Sequence, residues 1–546
     1  MTEKHIRHMY ATPLTVSSSA RSASLFRAVF CVAVCVVSYG PALFAAEAAD
    51  SAWRNFQHAR GDTPLIGVNA DHERANSAWR PIPEPGAGEV DRDRFQLGSD
   101  LFHEGRLSSG NSVACVTCHA GALSGADRRP VSIGVGGARG TMNALSVFNA
   151  GYNFRKFWNG RAVTLEDQSL EPIRNPVEMA HTLDAVQEML RSDEEYADQF
   201  AEVYPDGVTI NNMTDAIAHF QRIQFVRLDT PFQRFLKGEE EALDEQERRG
   251  MRQFEEVGCT GCHNGINLGG NSYQKLGSAI PYYGDERQAR ANEEDVMDRS
   301  GRERDRHVFR VPGLHGVATT SPYFHDGSVA TLEEAIEEMA EHQLGRELDP
   351  QDREDIEAFL RSLGGYFTAG HSVEEAAGES SEAVSEQANR ASAGSHEQAY
   401  RDAIRALEEA GRQLLPEMQR IHAGEVAHYD FLQLQHLEMI RHARALHHPP
   451  SSMGEPQRSA LIEAAQALRE EVNDLEWVIA DFLRAEAMIR VFAAHQEASA
   501  GRAVPDGVDD PGDRLRDYRE RAGELMAVME ESGPERFSAV IRDALP

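Results

Sequence analysis

Two short stretches of the chain place cysteine and histidine at one spacing. They read CVTCH at residues 115–119 and CTGCH at residues 259–263, and each follows a helix-like segment. Two thiols three positions apart can each add to a vinyl group of one haem, and the next histidine then lies beneath the iron as its proximal ligand. The pattern predicts two covalently bound haem c groups. The predicted anchors and proximal ligands are Cys115, Cys118, His119, Cys259, Cys262 and His263.

Other chemistry is open to each motif taken alone. A CxxC pair can be a redox dithiol or half of a zinc site, and four cysteines in an exported chain usually suggest disulfides. The remaining cysteines, Cys31 and Cys35, lie in an apolar N-terminal segment that we expect to be removed. Two complete copies with histidine, and no other cysteine in the mature chain, favour haem.

The proximal ligands leave the type of function undecided. A second strong protein ligand on the far side of the iron makes an electron carrier, whereas an open position makes a catalyst. The distal residues of each site therefore have to be found elsewhere in the chain.

The elements that must position these motifs divide the chain into segments. Residues 1–48 resemble a secretory signal, with Arg21 and Arg27 before an apolar run and small residues at Ala46 and Ala48. This segment predicts a periplasmic location. A retained membrane anchor is the weaker interpretation. Helical spacing and capping patterns, such as Ser192 with Glu195, dominate the rest of the chain. The predicted segments are an N-terminal extension (49–90), two haem-bearing units (91–235 and 236–368), a linker (369–396) and a helical tail (397–546).

The composition is strongly acidic. The formal charge is −33, and removal of residues 1–48, which carry a net +2, leaves −35. Such a field repels nucleic acid and anionic membranes and favours basic soluble partners, although solubility alone is an equally good explanation. Strand-like alternation is scarce, so the sequence predicts a mainly α fold.

The tail carries long amphipathic patterns. Apolar residues recur every seven positions at Leu461, Leu468, Leu475 and Phe482, and a second stripe follows Ile404, Leu407, Leu414, Met418 and Ile421. These patterns predict an antiparallel helical bundle, which we interpret as an interaction or dimerisation module, so that a homodimer is one expected partner. His436 lies on an apolar stripe and is expected to be a core histidine rather than a ligand, while His442, His447 and His448 are expected to face solvent.

Three stretches carry a specific resemblance. They are LFHEGRLSSGNSVACVTCH, NALSVFNAGYNFRKFWNGRAVTLEDQSLEPIRNPVEM and FRVPGLHGVATTSPYFHDGSVATLEEAIEEMAEHQLGREL. In this order, over about residues 80–366, they resemble the bacterial di-haem cytochrome c peroxidases, a family that includes the MauG-like enzymes. The resemblance implies two cytochrome c-like domains, with the peroxidatic haem on the first motif and the electron-transfer haem on the second.

The resemblance also implies roles for individual side chains. Glu178 matches the acid–base glutamate of the family, with Gln168 beside it; a carboxylate suits a reaction in which peroxide loses one proton and its leaving oxygen gains one. Trp158 matches the tryptophan between the haems that helps electrons to pass. Met339 matches the thioether ligand of the second haem, a ligand that raises the reduction potential.

A calcium ion between the two domains is a further implication of the resemblance. Asn143, Thr320 and Pro322 match the residues whose oxygens bind that ion in the family. Amide and carbonyl oxygens suit a hard cation. No acidic cluster in the sequence predicts the site independently.

The glycine loop VSIGVGGARG after the first motif departs from the family pattern. Many members have a histidine, which blocks the peroxidatic iron, at the position of Val135. Valine has no lone pair to donate, so the first iron is expected to be open. His103 and His181 lie near the relevant motifs and are candidate substitutes, but ordinary partly exposed histidines are expected at both positions. At the second haem, the MauG-like members have tyrosine where this chain has Met339, which favours a peroxidase.

The expected function is reduction of hydrogen peroxide to water, with electrons from a soluble cytochrome c or a blue-copper protein. Two alternatives remain open. One is a MauG-like oxidase of a protein or organic substrate, and the other is a non-enzymatic electron carrier or redox sensor whose tail is the output module.

Overall fold

The computed structural model describes residues 77–83, 90–121, 124–227, 229–284, 294–364, 395–445, 455–498 and 511–532 of the 546. The predicted signal segment (1–48) and nearly all of the predicted linker (369–396) lie outside this part of the chain, as do His447 and His448 and the side chain of His442. Within it the fold is mainly helical, as the sequence predicts.

The helices and strands follow one another along the whole described chain. The helices are α1 (Arg92–His103), α2 (Cys115–Cys118), α3 (Leu165–Arg174), α4 (Leu183–Ser192), α5 (Glu194–Val203), α6 (Ile210–Gln224), α7 (Pro231–Leu236), α8 (Glu245–Val257), α9 (Val296–Ser300), α10 (Leu332–Glu338), α11 (Pro350–Ser362), α12 (Ser395–His422), α13 (Asp430–Ala445), α14 (Glu455–Ala498) and α15 (Pro511–Ser532). Strands β1 (Tyr273–Lys275) and β2 (Val308–Arg310) pair antiparallel, with Tyr273 opposite Arg310.

The first core forms where α1 crosses α6. The side chain of Asp91 caps α1 by accepting from the backbone N–H of Arg94 at 3.0 Å. Gly98 allows the close crossing, because a Cβ there would overlap the carbonyl oxygen of Ala216. Phe102 on the same face is buried, and the resulting cluster supports the segment that leads into the first CxxCH motif.

The second core forms where α8 packs on α11. Asp244 and Glu247 make a capping box at the start of α8, and Gly250 lies against the backbone of Asp355 on α11. Helix α8 ends at Val257. The next residue, Gly258, caps it with a φ of 105°, a left-handed conformation that favours glycine. The second motif begins directly after this residue.

One predicted helix cap is wrong. The predicted capping box of Ser192 with Glu195 does not form. Ser192 is still the last residue of α4, so Asp193 caps α5 instead and accepts from Glu195 N–H at 3.1 Å.

The tail helices pack against one another and against the second unit. Helix α12 packs on α13, α14 packs on α13 and α15, and α14 also contacts the second CxxCH motif and β1. The predicted stripe residues Leu414, Met418, Ile421 and Phe482 are buried, whereas the side chains of Ile404, Leu407, Leu461 and Leu468 lie outside the described part. Among described helices, none is long and apolar enough to cross a membrane.

Candidate functional site

The first CxxCH motif lines a cavity. Cys115 and Cys118 begin and end helix α2, and His119 follows as its C-terminal cap. The Nδ1 atom of His119 lies 2.9 Å from the carbonyl oxygen of Gly125, which leaves Nε2 for a metal. Burial lowers the pKa of His119, so the imidazole is neutral, the form that binds iron.

Burial also acts on the thiols. It raises the pKa of Cys115 to about 12 and raises that of Cys118, whereas a reactive redox dithiol needs a lowered thiol pKa. The four described cysteines are free, and no cluster of three His, Cys, Asp or Glu ligands occurs in the described residues. The CxxCH spacing of these thiols fits thioether attachment of haem.

Glu178 and Gln168 lie on the wall of the same cavity. Both line it together with Cys118 and His119. The Oε1 atom of Glu178 accepts from the Nδ2 of Asn175 at 2.7 Å. Burial raises the pKa of Glu178, and nearby Arg161 partly opposes this rise. The structure thus brings a carboxyl group with a raised pKa to the side chains that the sequence predicts as partners.

The glycine loop contacts the Glu178 segment, but its valine does not face the cavity. The backbone N–H of Val135 donates to the carbonyl oxygen of Glu178 at 2.8 Å. Its Cγ1 lies 3.0 Å from the place where a Cβ on Gly110 would be, and its side chain packs on the first core. Ile133 and Gly134 line the cavity of the first motif, whereas Val135 does not line the cavities found at either motif.

The second CxxCH motif opens into a larger, mostly apolar cavity. Cys259, Cys262 and His263 line it, and Met339 lines it as well, at the start of a π-helical stretch that continues α10. The Nδ1 of His263 lies 3.1 Å from the carbonyl oxygen of Leu268. Burial lowers the pKa of His263 to about 4, so this imidazole is also neutral.

Trp158 lies between the two cavities and lines both of them. Its Nε1 donates to the carbonyl oxygen of Asn143 at 2.9 Å, and its own carbonyl oxygen accepts from the N–H of Arg310 at 2.7 Å. One hydrogen bond therefore holds the indole and another holds the backbone of Trp158, and both partners, Asn143 and Arg310, also line both cavities. Sequence alone could identify the tryptophan only by resemblance.

The three predicted calcium ligands share one wall of the second cavity. Asn143, Thr320 and Pro322 all line it. The Nδ2 of Asn143 donates to the carbonyl oxygen of Arg129 at 2.8 Å. An amide whose nitrogen is engaged in this way keeps its oxygen available for a cation.

The other candidate histidines are structural, as the sequence predicts. His103 is exposed with its Nδ1 2.8 Å from the carbonyl oxygen of Ser99, and the Nδ1 of His181 accepts from Thr182 N–H at 2.9 Å. His436 is buried in the tail, where its Nε2 lies 3.0 Å from the carbonyl oxygen of Val472.

Two residues of the sites were missed by sequence reasoning. Trp79, in the N-terminal extension, is buried in the second core and donates from Nε1 to the carbonyl oxygen of His263 at 3.1 Å. Arg310 is 2% exposed and lines both cavities, yet its hydrogen bonds go to the backbone carbonyls of Phe157 and Val311. Burial lowers the pKa of Arg310 to about 10. A lone arginine on a short strand carries no local signal of this role.

The residues present fit haem in both cavities. Each has two thiols and a neutral imidazole on one side, with the imidazole oriented by a backbone carbonyl. The buried charge of Arg310 needs an anion, and among the described residues it has no carboxylate hydrogen-bond partner. The carboxylates of haem at the junction of the cavities would supply that anion.

Comparison with known proteins agrees with this chemistry. The family profile described as di-haem cytochrome c peroxidase matches residues 92–241. The chain is 42% identical over 297 residues to cytochrome c peroxidase Ccp of Escherichia coli K12, covering 54% of this chain and 63% of that protein. It is 39% identical over 317 residues to cytochrome c551 peroxidase of Pseudomonas aeruginosa PAO1, covering 56% of this chain and 89% of the relative.

A solved structure was also matched. It is that of a MauG-like protein associated with microbial copper homeostasis, 28% identical, with a TM-score of 0.46 over 54% of this chain and 95% of that one. From the sequence relatives and the two CxxCH sites, the chain belongs to the di-haem cytochrome c peroxidase family, whose members are peroxidase-type oxidoreductases with two haem c groups.

Proposed function

We propose that this protein reduces hydrogen peroxide to water with electrons from a small soluble redox protein, a cytochrome c or a blue-copper protein. The observation that carries the proposal is the cavity of the first motif, which is lined by Glu178, Gln168, His119 and Trp158 together. The reaction is H₂O₂ + 2 H⁺ + 2 e⁻ → 2 H₂O.

The two haem c groups, when bound, supply the iron that binds peroxide and the electrons that cleave its O–O bond. Cys115 and Cys118 would anchor the first haem above His119. Cys259 and Cys262 would anchor the second, and His263 and Met339 in the same cavity would bind its iron. Arg310 would pair with haem carboxylates between the two sites, since its guanidinium is buried and lines both cavities.

Glu178 would move the protons. In its ionised form the carboxylate would accept a proton from hydrogen peroxide and return it to the departing oxygen, which leaves as water. A raised pKa suits a group that has to accept and donate in one cycle. The amide of Gln168 would orient the peroxide beside it.

Electrons would pass from the second site to the first through Trp158, which borders both cavities. The thioether of Met339 would keep the second haem at a high potential and so ready to accept electrons from the soluble donor. An axial thioether, rather than a phenol, favours the peroxidase over an oxidase of a protein or organic substrate.

The first iron would be open on its peroxide side. Valine at position 135 supplies no ligand, and the side chain packs towards Gly110 rather than into the cavity. His103 and His181 are engaged with neighbouring backbone and do not line the described cavities. An open first site distinguishes a catalyst from an electron carrier.

The domain organisation, the location and a calcium ion complete the proposed function. We place the two haem domains at residues 91–235 and 236–368, followed by a bundle at 397–546, and we expect export to the periplasm. A calcium ion bound by oxygens of Asn143, Thr320 and Pro322 would join the domains. Metal analysis of the purified holoenzyme before and after chelation tests that ion.

Two measurements on the holoenzyme test the function. We expect steady-state peroxide consumption with reduced cytochrome c, together with a high-spin signal from the first haem. If peroxide is not consumed and both irons are six-coordinate and low-spin, the protein is an electron carrier. Peroxide-dependent oxidation of a protein substrate, without cytochrome c oxidation, would instead favour the MauG-like alternative.

A further inference from the structure

The apolar faces of the tail are used within this chain. Residues of α12 to α15 form one buried cluster with Cys262 of the second motif, and Val491 and Phe492 of α14 enter the core that surrounds α8 and α11. Among the described residues, the exposed large apolar side chains are Ile280 and Val528. The described residues of the predicted stripes, such as Leu414, Met418, Ile421 and Phe482, thus pack in a cluster that includes Cys262 of the second haem unit.

Helix α14 lies directly on the haem-attachment motif. Gly261 is the residue before Cys262 in CTGCH, and a Cβ on it would lie 2.9 Å from the carbonyl oxygen of Ala487 and 3.1 Å from a methyl group of Val491. Real Cβ atoms rarely approach other atoms so closely. The small residue inside CTGCH therefore permits the tail to contact the backbone that carries the haem.

The start of α13 binds the loop that follows the motif. The hydroxyl of Tyr429 donates to the carbonyl oxygen of Gly261 at 3.0 Å. The buried carboxylate of Asp430 accepts from Ile266 N–H at 2.8 Å and from the Nδ2 of Asn271 at 2.9 Å. This loop supplies the carbonyl that orients His263, so the tail supports the proximal ligand indirectly.

A third contact reaches the segment that carries Trp158. Glu476 of α14 is 3% exposed and accepts from the guanidinium of Arg155 at 2.5 Å and from that of Arg299 at 2.9 Å. Arg299 also donates to the hydroxyl of Tyr273 at 2.8 Å. Burial opposes ionisation of Glu476, but the two arginines hold its pKa below the usual range. One tail carboxylate thus joins two separate parts of the haem units, at Arg155 and Arg299, and Arg299 extends the contact to Tyr273.

Arg155 is three residues before Trp158. The chain between them is fixed at Lys156, whose N–H donates to the carbonyl oxygen of Ala162, and at Trp158, whose carbonyl oxygen accepts from Arg310 N–H. The Glu476 contact adds a third point of attachment, from the tail. Loss of the Glu476 contact would therefore leave the segment that carries Trp158 attached at two of these three points.

We propose that the tail helices are an intramolecular clamp that holds the second CxxCH segment and the Trp158 segment in one arrangement, with Glu476 as the positioning residue. By holding these segments, the clamp would support electron transfer between the haems. This effect on electron transfer rests on the proposed function.

The test compares Glu476→Gln with Glu520→Gln in the full-length holoenzyme. Glu520 is an exposed residue of α15, so its variant removes the same charge from the tail without touching the clamp. In Glu476→Gln we expect faster amide hydrogen exchange over residues 153–160. We also expect about tenfold slower redistribution of an electron between the haems after pulse radiolysis, because misplacement of reacting groups by 1 Å can cost about a hundredfold. Both haem contents should be unchanged.

Equal exchange and equal electron redistribution in wild type and both variants would overturn the clamp. These readouts do not depend on peroxide turnover. A wild-type protein that consumes no peroxide, yet shows the expected difference in Glu476→Gln, would therefore refute the proposed function and leave the clamp supported.

A measurement on the wild-type protein covers the case in which Glu476→Gln does not yield holoenzyme. The clamp predicts that amides of residues 261–271 and of the middle of α14 exchange with the same opening free energy, as one cooperative unit. Protection of residues 261–271 that persists while the middle of α14 exchanges rapidly would refute it.

Discussion

Replacing Glu178 by glutamine separates the proton-transfer role of this side chain from any structural one. Glutamine has the same shape, and its amide oxygen can still accept the hydrogen bond from Asn175 that measures 2.7 Å in the structure. The variant therefore removes the proton acceptor and keeps the cavity wall. Both haem spectra should be unchanged.

The expected loss of activity follows from the role assigned to the carboxyl group. A positioned general acid–base contributes about 10²- to 10⁴-fold to the rate, which equals about 2.7 to 5.4 kcal/mol of transition-state stabilisation. We expect kcat/KM for peroxide to fall by this factor. Stopped-flow kinetics with the half-reduced enzyme measures it directly.

Although Glu178→Gln should lose activity, its stability should not fall. Burial is the main cause of the raised pKa of Glu178, so the folded protein binds its proton more tightly than the unfolded chain does. A destabilising contribution then grows as the pH rises from the unfolded pKa through the folded one, and it is complete above the folded pKa. At neutral pH, glutamine removes this contribution, so the unfolding temperature should stay equal or rise.

The pH profile supplies a further check. The ionised form accepts the first proton, so wild-type kcat/KM should decrease on acidification through a pKa above that of an ordinary glutamate, and Glu178→Gln should lack this limb. Glu188→Gln, at an exposed position of α4, is the matched control. If Glu178→Gln turned over peroxide at the wild-type rate, Glu178 would not be the proton shuttle.

Three other substitutions test the remaining parts of the structure. In Val135→His, the new imidazole should point towards Gly110, so the first haem should stay high-spin by electron paramagnetic resonance; a low-spin signal would show that the loop turns over the iron. Gly261→Ala places a methyl group 2.9 Å from the carbonyl oxygen of Ala487. Denaturant titration should show a free energy of unfolding lower by about 1–3 kcal/mol. An unchanged midpoint would mean that α14 does not contact the motif in solution. Arg310→Met removes a buried cation that favours the reduced haems. Potentiometric titration should therefore give lower midpoint potentials for both haems. Unchanged potentials would contradict the placement of Arg310 between the two cavities.

The covalent chemistry of this protein could be predicted from the sequence. Both thiols and the proximal histidine of each haem lie within five consecutive residues, so their spacing alone specifies how they meet one porphyrin. Helix caps are local signals as well, since a cap such as Asp244 acts within one turn. The misplaced cap at Ser192 shows the limit of that rule where two helices adjoin.

Glu178, Trp158 and Met339 were located by resemblance, because a single side chain on a helix or loop carries no signal of what it faces. The tertiary structure brings Glu178 and Trp158 to the cavity of the first motif, and Trp158 and Met339 to that of the second. It also turns the side chain of Val135 away from the cavity, which loop composition could not indicate.

The sequence by itself determined the two CxxCH motifs, the helical character and the acidic charge, because each depends on composition or on neighbours within a few residues. Only the tertiary structure decided the roles of Trp79, Arg310 and Glu476. Trp79 bonds to a residue 184 positions away, and Glu476 to one 321 positions away. Contacts of that range arise from how the helices pack, and no local spacing in the chain encodes them.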